Sequence, residues 1–252
     1  SRAKDNDHGQ VWVVADPHDA WVVECGGGRH WVARKIREDF YNCSNAPTIT
    51  NAFDRGSEVV RYALDKGWID KPEEFDWSRH FAAGAYQWKK RLAAVRNYLT
   101  APDRFGRITP DTIKKMLRAD EVGGVASIRI TQVAIIAHLR EDVPQMLRAK
   151  AWIATRTPHA NNLFLPTYAA SKVGLPSELA SPGCEYWFAK RANLSDKARA
   201  EFENWADARA TDLEKRVKQD LGEGRRRNAQ QRIQDYHQRI VARALDVYRS
   251  KE

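Results

Sequence analysis

The chain is poor in cysteine, has no long apolar run and carries no recognisable metal signature, and each absence removes a class of protein. Three cysteines, Cys25, Cys43 and Cys184, cannot form a disulfide framework, and their spacing fits no zinc knuckle. Such usage suits a reducing compartment, so a cytoplasmic location is expected, with any address on a preceding segment. No apolar stretch approaches the length of a membrane span. The first ten residues, SRAKDNDHGQ, lack the apolar core of a signal peptide. HExxH and comparable clusters are missing, and no metal or other cofactor is expected. Gly26-Gly27-Gly28 is not followed by GK[ST], so it reads as a tight turn rather than a phosphate loop. There is no internal repeat, and Arg225-Arg226-Arg227 reads as a solvated helix start.

What is present is globular in composition: 252 residues, 42% hydrophobic, with nine Trp, enough for one large domain or two ordinary ones. The formal charge of +9 raises the question of nucleic acid. Residues 195–252 hold 14 basic and 11 acidic side chains, net +3, which leaves +6 for residues 1–194. An excess this diffuse, with both signs alternating on the helical stretches, describes a solvated surface better than a binding stripe.

Hydrophobic period organises the chain. Residues 1–10 are a polar lead-in. Val11–Ala15, Ala20–Cys25 and His30–Ile36 are short runs rich in Val and Trp, separated by turn residues, which predicts strands joined as hairpins. A helical insertion over residues 56–120 follows: a short helix from Ser57 stopped at Gly67, another opened by Pro72-Glu73-Glu74, an amphipathic helix over Ala82–Leu99, and Thr112–Arg118 started by Thr109-Pro110-Asp111. Ala126–Leu139 predicts one long strand or two short ones. Ala151–Thr155 and Leu163–Leu165 repeat the strand signal, so one sheet would receive strands from both ends of the insertion. Two apolar stripes, Phe202 to Leu221 and Ile233 to Tyr248, predict a helical hairpin over residues 195–252, laid on a sheet face of the same domain that residues 11–194 form. The class is α+β.

The stretch Cys43-Ser44-Asn45-Ala46-Pro47-Thr48-Ile49-Thr50 puts polar residues where a buried edge is expected. An asparagine amide at a strand end, followed by a proline that fixes direction, can aim an N–H at a developing oxyanion. The alternative is an ordinary Asx turn. Cys25 and Cys43 are candidate thiol nucleophiles, with simple burial as the alternative. His138, inside an apolar run, is expected to be a hydrogen-bonded core histidine.

Taken in order, ADPHDAWVVECGGGRHWVARKI, YNCSNAPTIT, FDRGSEVVRYALDKGWIDKPEEFDWSRHFA, SIRITQVAIIAHL and KAWIATRTPHANNLFLPTY resemble the secernin and dipeptidase group of N-terminal-nucleophile hydrolases, over about residues 11–168. The resemblance implies a four-layer αββα sandwich. It also implies cleavage of dipeptides or amides of small acyl groups, with a cysteine at a mature N-terminus as nucleophile and its own α-amino group handling the proton. Asn45 resembles the oxyanion-hole asparagine of the S-N-x-[LP]-[TS] stretch.

In that group the nucleophile starts the first buried strand, upstream of the matched region. The expectation is therefore an amide-bond hydrolase subunit or processed chain whose nucleophile comes from a preceding segment or partner chain, in a hetero-oligomer. It would act on a peptide or small amide, with no nucleic acid or membrane partner. Ser1, with its free α-amine as base, is the less favoured nucleophile. Ser44 and Thr48 would shape the floor of the site. Arg129 would meet a substrate carboxylate or else pair outward with an acid. A chain lacking strands of its own sheets also predicts an exposed apolar face. Two rivals remain: a catalytically silent scaffold or binding subunit of the same fold, and nucleic-acid binding through Arg225 to Arg232.

Overall fold

The structure is a computed structural model that describes residues 10–38, 40–43, 47–81, 89–118, 133–155, 162–180 and 194–250. The chain divides into two compact units, Ser1–Gly106 and Arg107–Glu252. The boundary falls inside the predicted helical insertion.

In the first unit, β1 (Gln10–Ala15), β2 (Ala20–Gly26), β3 (His30–Lys35) and the two-residue β4 (Arg55–Gly56) form one antiparallel sheet in that order. The three predicted strands are present, joined as hairpins with Ala15 opposite Ala20 and Gly26 opposite His30. The glycine run is a turn: Gly27 and Gly28 sit at φ 57° and 80°, where a side chain would be strained. Alternation then sorts the side chains. Val22, Glu24 and Val32 point to one face, where Val22 and Val32 pack with Ile49, Val59, Ala63, Phe75 and Trp77. Helices α1 (Val59–Asp65) and α2 (Trp77–Phe81) lie there, and α3 (Lys89–Leu99) follows in the chain. Pro72–Glu74 is a single 3-10 turn rather than the start of α2, because Phe75 is extended (φ −70°, ψ 131°) and Asp76 caps the helix through Arg79 N–H at 2.9 Å. Of the helix predicted over Ala82–Leu99, residues 82–88 lie outside the described residues.

The second unit contains α4 (Pro110–Arg118), β5 (Val133–Leu139), a 3-10 turn (Gln145–Leu147), β6 (Ala149–Thr155), β7 (Leu165–Tyr168), α5 (Ser177–Ala180), α6 (Asp196–Gly222) and α7 (Arg226–Arg249). The start signal for α4 is genuine: Thr109 Oγ1 accepts from Thr112 N–H at 3.2 Å. β5, β6 and β7 make an antiparallel sheet separate from the first. The strands on the two sides of the insertion thus belong to two sheets, not to one as the sequence suggested. The predicted helical hairpin is α6 and α7, ended and restarted around Gly222 and Gly224. It buries Phe202, Leu213 and Val217 against Ile233, Tyr236, Ile240, Leu245 and Tyr248, together with Leu165 and Tyr168 of β7. Ile136, Trp152 and Ala154 face α4 through Ile113 and Leu117.

In the first unit α1 and α2 pack against one face of the sheet, whereas in the second α4 packs against the Ile136 and Trp152 face and the α6–α7 hairpin against β7. On the opposite face of the first sheet lie Trp12, Val14, Trp21, Val23, Cys25 and Trp31. Trp12 is 57% exposed and Val14 is 60% exposed. On β5, Val133 and Ile135, on the side away from α4, are 46% and 61% exposed. The expected exposed apolar face is found, once in each unit, and burial here decides stability. Ile233→Ala should cost about 2–5 kcal/mol of unfolding free energy by opening a cavity in a filled core. Ile135→Ser should stay within about 0.5 kcal/mol. Chemical denaturation measures both, and a loss at Ile135 matching that at Ile233 would mean that the β5 face is covered in solution.

Candidate functional site

The most constrained group in the first unit is a carboxylate. Glu24 sits in the inward phase of β2, between Val22 and Gly26, and is only 1% exposed. A carboxylate so placed needs donors, since an uncompensated buried charge is costly. It takes them from the chain segment that follows Pro47. Glu24 Oε1 accepts from Thr48 N–H at 2.7 Å, Thr48 O–H at 2.9 Å and Ile49 N–H at 3.3 Å. The buried Trp77 indole N–H, too far for a full hydrogen bond, is the weakest of the donors that favour the charged form. Burial nevertheless prevails and pushes the Glu24 carboxyl above the usual range, with the Thr48 and Ile49 donors acting against it.

Thr48 donates its hydroxyl proton to Glu24, so the Tyr41 O–H donates in turn to Thr48 Oγ1. Ile49 is 1% exposed in the core, and Thr50 C=O accepts from the first N–H of α2, Trp77, at 3.0 Å. On the other flank, Asn42 Nδ2 donates to Leu92 C=O of α3 at 2.9 Å. Asn42 and Thr48 are thus both tied down. Ser44 and Asn45 themselves lie outside the described residues, as do Ser1 and Arg129. Of the predicted site residues, Thr48 is placed, and its hydroxyl is committed to Tyr41 and Glu24.

Tyr41, Asn42 and Thr48 line a cleft of about 880 Å³. Among the described residues its wall carries Arg34, Arg37, Arg96 and Glu38, and Phe40, Leu92 and Phe105 supply apolar surface. Two of the guanidiniums are neutralised. Arg34 pairs with Glu38. Arg37 forms a fork on Asp54, at 2.7 and 3.0 Å. The Arg37 fork, with Lys35 N–H at 2.7 Å, holds the Asp54 carboxyl down at about 2. These residues escape motif reading because they are single charges on strand ends and loops. Glu24 did leave a signal, an acid in the apolar phase of an alternating strand.

The described cysteines are not poised for attack. Burial pushes the Cys43 thiol up, and the nearby Glu24 carboxylate adds to this; burial alone raises Cys25. His138 is exposed on β5 rather than in the core, whereas His30, His80 and His237 are buried. His237 Nδ1 lies 3.0 Å from Thr167 Oγ1 and 2.9 Å from Ser171 Oγ, linking α7 to β7 and the loop after it. Among the described residues no group of three His, Cys, Asp or Glu could hold a metal ion, and no helix is long and apolar enough to cross a membrane. In the basic run, Arg225 and Arg232 are both taken up by the buried Asp220, at 2.7 and 2.5 Å.

Glu24→Ala would orphan three donors, each worth about 1–3 kcal/mol when buried, so a loss of about 3 kcal/mol or more is expected. Glu24→Gln keeps one acceptor and should cost less. Because the folded carboxyl titrates above its ordinary value of 4.5, the wild type should lose stability as pH rises from that value through the folded one, and Glu24→Gln should abolish that slope. Urea unfolding across pH 4–8 measures both effects. Comparison with protein-family models and with solved structures found no match to this chain.

Proposed function

We propose that the chain is a subunit or processed chain of an amide-bond hydrolase, dipeptidase- or amidase-like, with Asn45 in the oxyanion hole and the nucleophile supplied by a preceding segment or partner chain. The observation that carries this reading is the tethering of Asn42 and Thr48. These two residues, which flank Asn45 in the sequence, both line the same cleft, and both are tied down, one by Leu92 and the other by Glu24. A donor group acts on a transition state only if it is fixed beforehand, because reorganising it during the reaction forfeits the gain.

Layering supports the same reading. The first unit has helices on one sheet face and a partly exposed apolar surface on the other, and the second leaves Val133 and Ile135 of β5 partly exposed, as the facing sheets of an αββα sandwich would before they are covered. The raised Cys25 and Cys43 thiols fit a nucleophile held elsewhere. They equally favour the second reading, a catalytically silent binding subunit of the same fold.

Turnover separates the two. The purified protein, with whatever chain accompanies it, should hydrolyse dipeptides or simple anilides and lose activity to iodoacetamide. Asn45→Ala should lower kcat by about 10²–10³-fold with little change in KM, the effect of removing one oxyanion donor. No turnover by the assembly, or an Asn45→Ala enzyme as active as the wild type, overturns the hydrolase reading.

A further inference from the structure

The charge balance of the cleft says what it should hold. Among the described residues three guanidiniums and one carboxylate open on the same space, and the two ion pairs described above account for Arg34 and Arg37. Arg96 is different. It projects from the last turn of α3, is exposed, and its guanidinium has no carboxylate or hydrogen-bond partner among the described residues. An arginine whose cationic neighbours are already paired is a ready partner for an anion, and its planar fork matches a carboxylate bidentately.

The surroundings narrow the class of anion. Leu92 and Arg96 stand four residues apart on α3, hence on one side of the helix, and both line the cleft. Phe40 and Phe105 add aromatic surface to the same wall, and Phe105, 47% exposed, is open to a ligand. A phosphate or sulfate would gain nothing from these groups. A carboxylate attached to an apolar side chain would use both: the guanidinium for the charge, and Leu92 with the phenyl rings for the side chain.

We infer that Arg96 anchors the free carboxylate of the molecule bound in this cleft, and that Leu92, Phe40 and Phe105 take the apolar side chain next to it. In the hydrolase reading, on which the identity of the ligand as substrate rests, this makes the preferred substrate a short peptide ending in an apolar residue with its carboxylate free. It also assigns to Arg96 the anchoring role that the sequence suggested for Arg129. Arg96 is a positioning residue, remote from any reacting bond.

The test uses ligands that contain no amide, so that its outcome is independent of hydrolysis. 3-Phenylpropionate and 3-phenylpropanol carry the same apolar group with and without the carboxylate. Titrated into the ¹⁵N-labelled protein, 3-phenylpropionate should shift resonances of Tyr41, Arg96 and Phe105. It should bind about ten-fold or more tightly than the alcohol, as expected for one charge-assisted contact, and its affinity should fall with added salt. Arg96→Gln should weaken the acid to the level of the alcohol and leave the alcohol unchanged, while Arg96→Lys should restore part of the difference. Unchanged spectra of Arg96→Gln outside the cleft show that it folds. Equal affinity of acid and alcohol, no binding of the acid, or an Arg96→Gln protein that still prefers the acid would each overturn the inference. Binding as described without turnover would remove the hydrolase reading and leave the anion site standing.

Discussion

A carboxylate placed on the inward face of a strand sets the geometry of the first unit. Glu24 cannot stay in the core beside Val22 and Val32 unless donors come to it, and the donors it finds belong to a segment with no helix or strand hydrogen bonds of its own. The chain after Pro47 is drawn onto β2, Ile49 is carried into the core behind it, and Thr50 meets the start of α2. The cleft lies beside this junction because Tyr41 and Thr48, linked hydroxyl to hydroxyl, form part of its wall. A core electrostatic requirement thus fixes a loop that would otherwise be free.

Charge in the cleft follows a second rule. Arg34 and Arg37 are paired by carboxylates from neighbouring turns, which keeps two cations close together without strong mutual repulsion. Arg96 adds a third. Around Cys43 the balance is reversed, since burial and the Glu24 carboxylate both oppose a thiolate. The described cysteines of the first unit are therefore not set up as sulfur nucleophiles, and the one cleft cation left without a carboxylate partner among the described residues is Arg96. Both sheets leave an apolar surface partly open, at Trp12 and Val14 in one and Val133 and Ile135 in the other.

Much of this was legible before any coordinates. The alternation of Val11 to Ile36 located three strands and two hairpins, because each strand has one buried face and the glycines permit only a turn between the second and third. The stripes from Phe202 and Ile233 located α6 and α7 for the same reason at a different period. Separate sheets could not be read, since β pairing is non-local and nothing in Val133–Leu139 says which strand it will meet. The run Pro72-Glu73-Glu74 promised a helix, yet the extended Phe75 ends it after one turn so that its ring can enter the core. His138 was expected inside because Ile136 and Leu139 flank it, but β5 lies at a sheet edge among the described strands. Around the site, Thr48 was singled out, whereas its partner Glu24, twenty-four residues away, was passed over, and Arg96 was one basic residue among many on a helix.

Hydrogen exchange at two amides tests the central constraint most directly. Thr48 and Ile49 lie outside every helix and strand, so in an ordinary loop their N–H groups would exchange as freely as those of exposed backbone. If Glu24 holds them as described, both should exchange with the slow core amides of β2 and β3. Exchange at both positions as fast as in the exposed turn at Gly27 and Gly28 would mean that the carboxylate does not hold this segment.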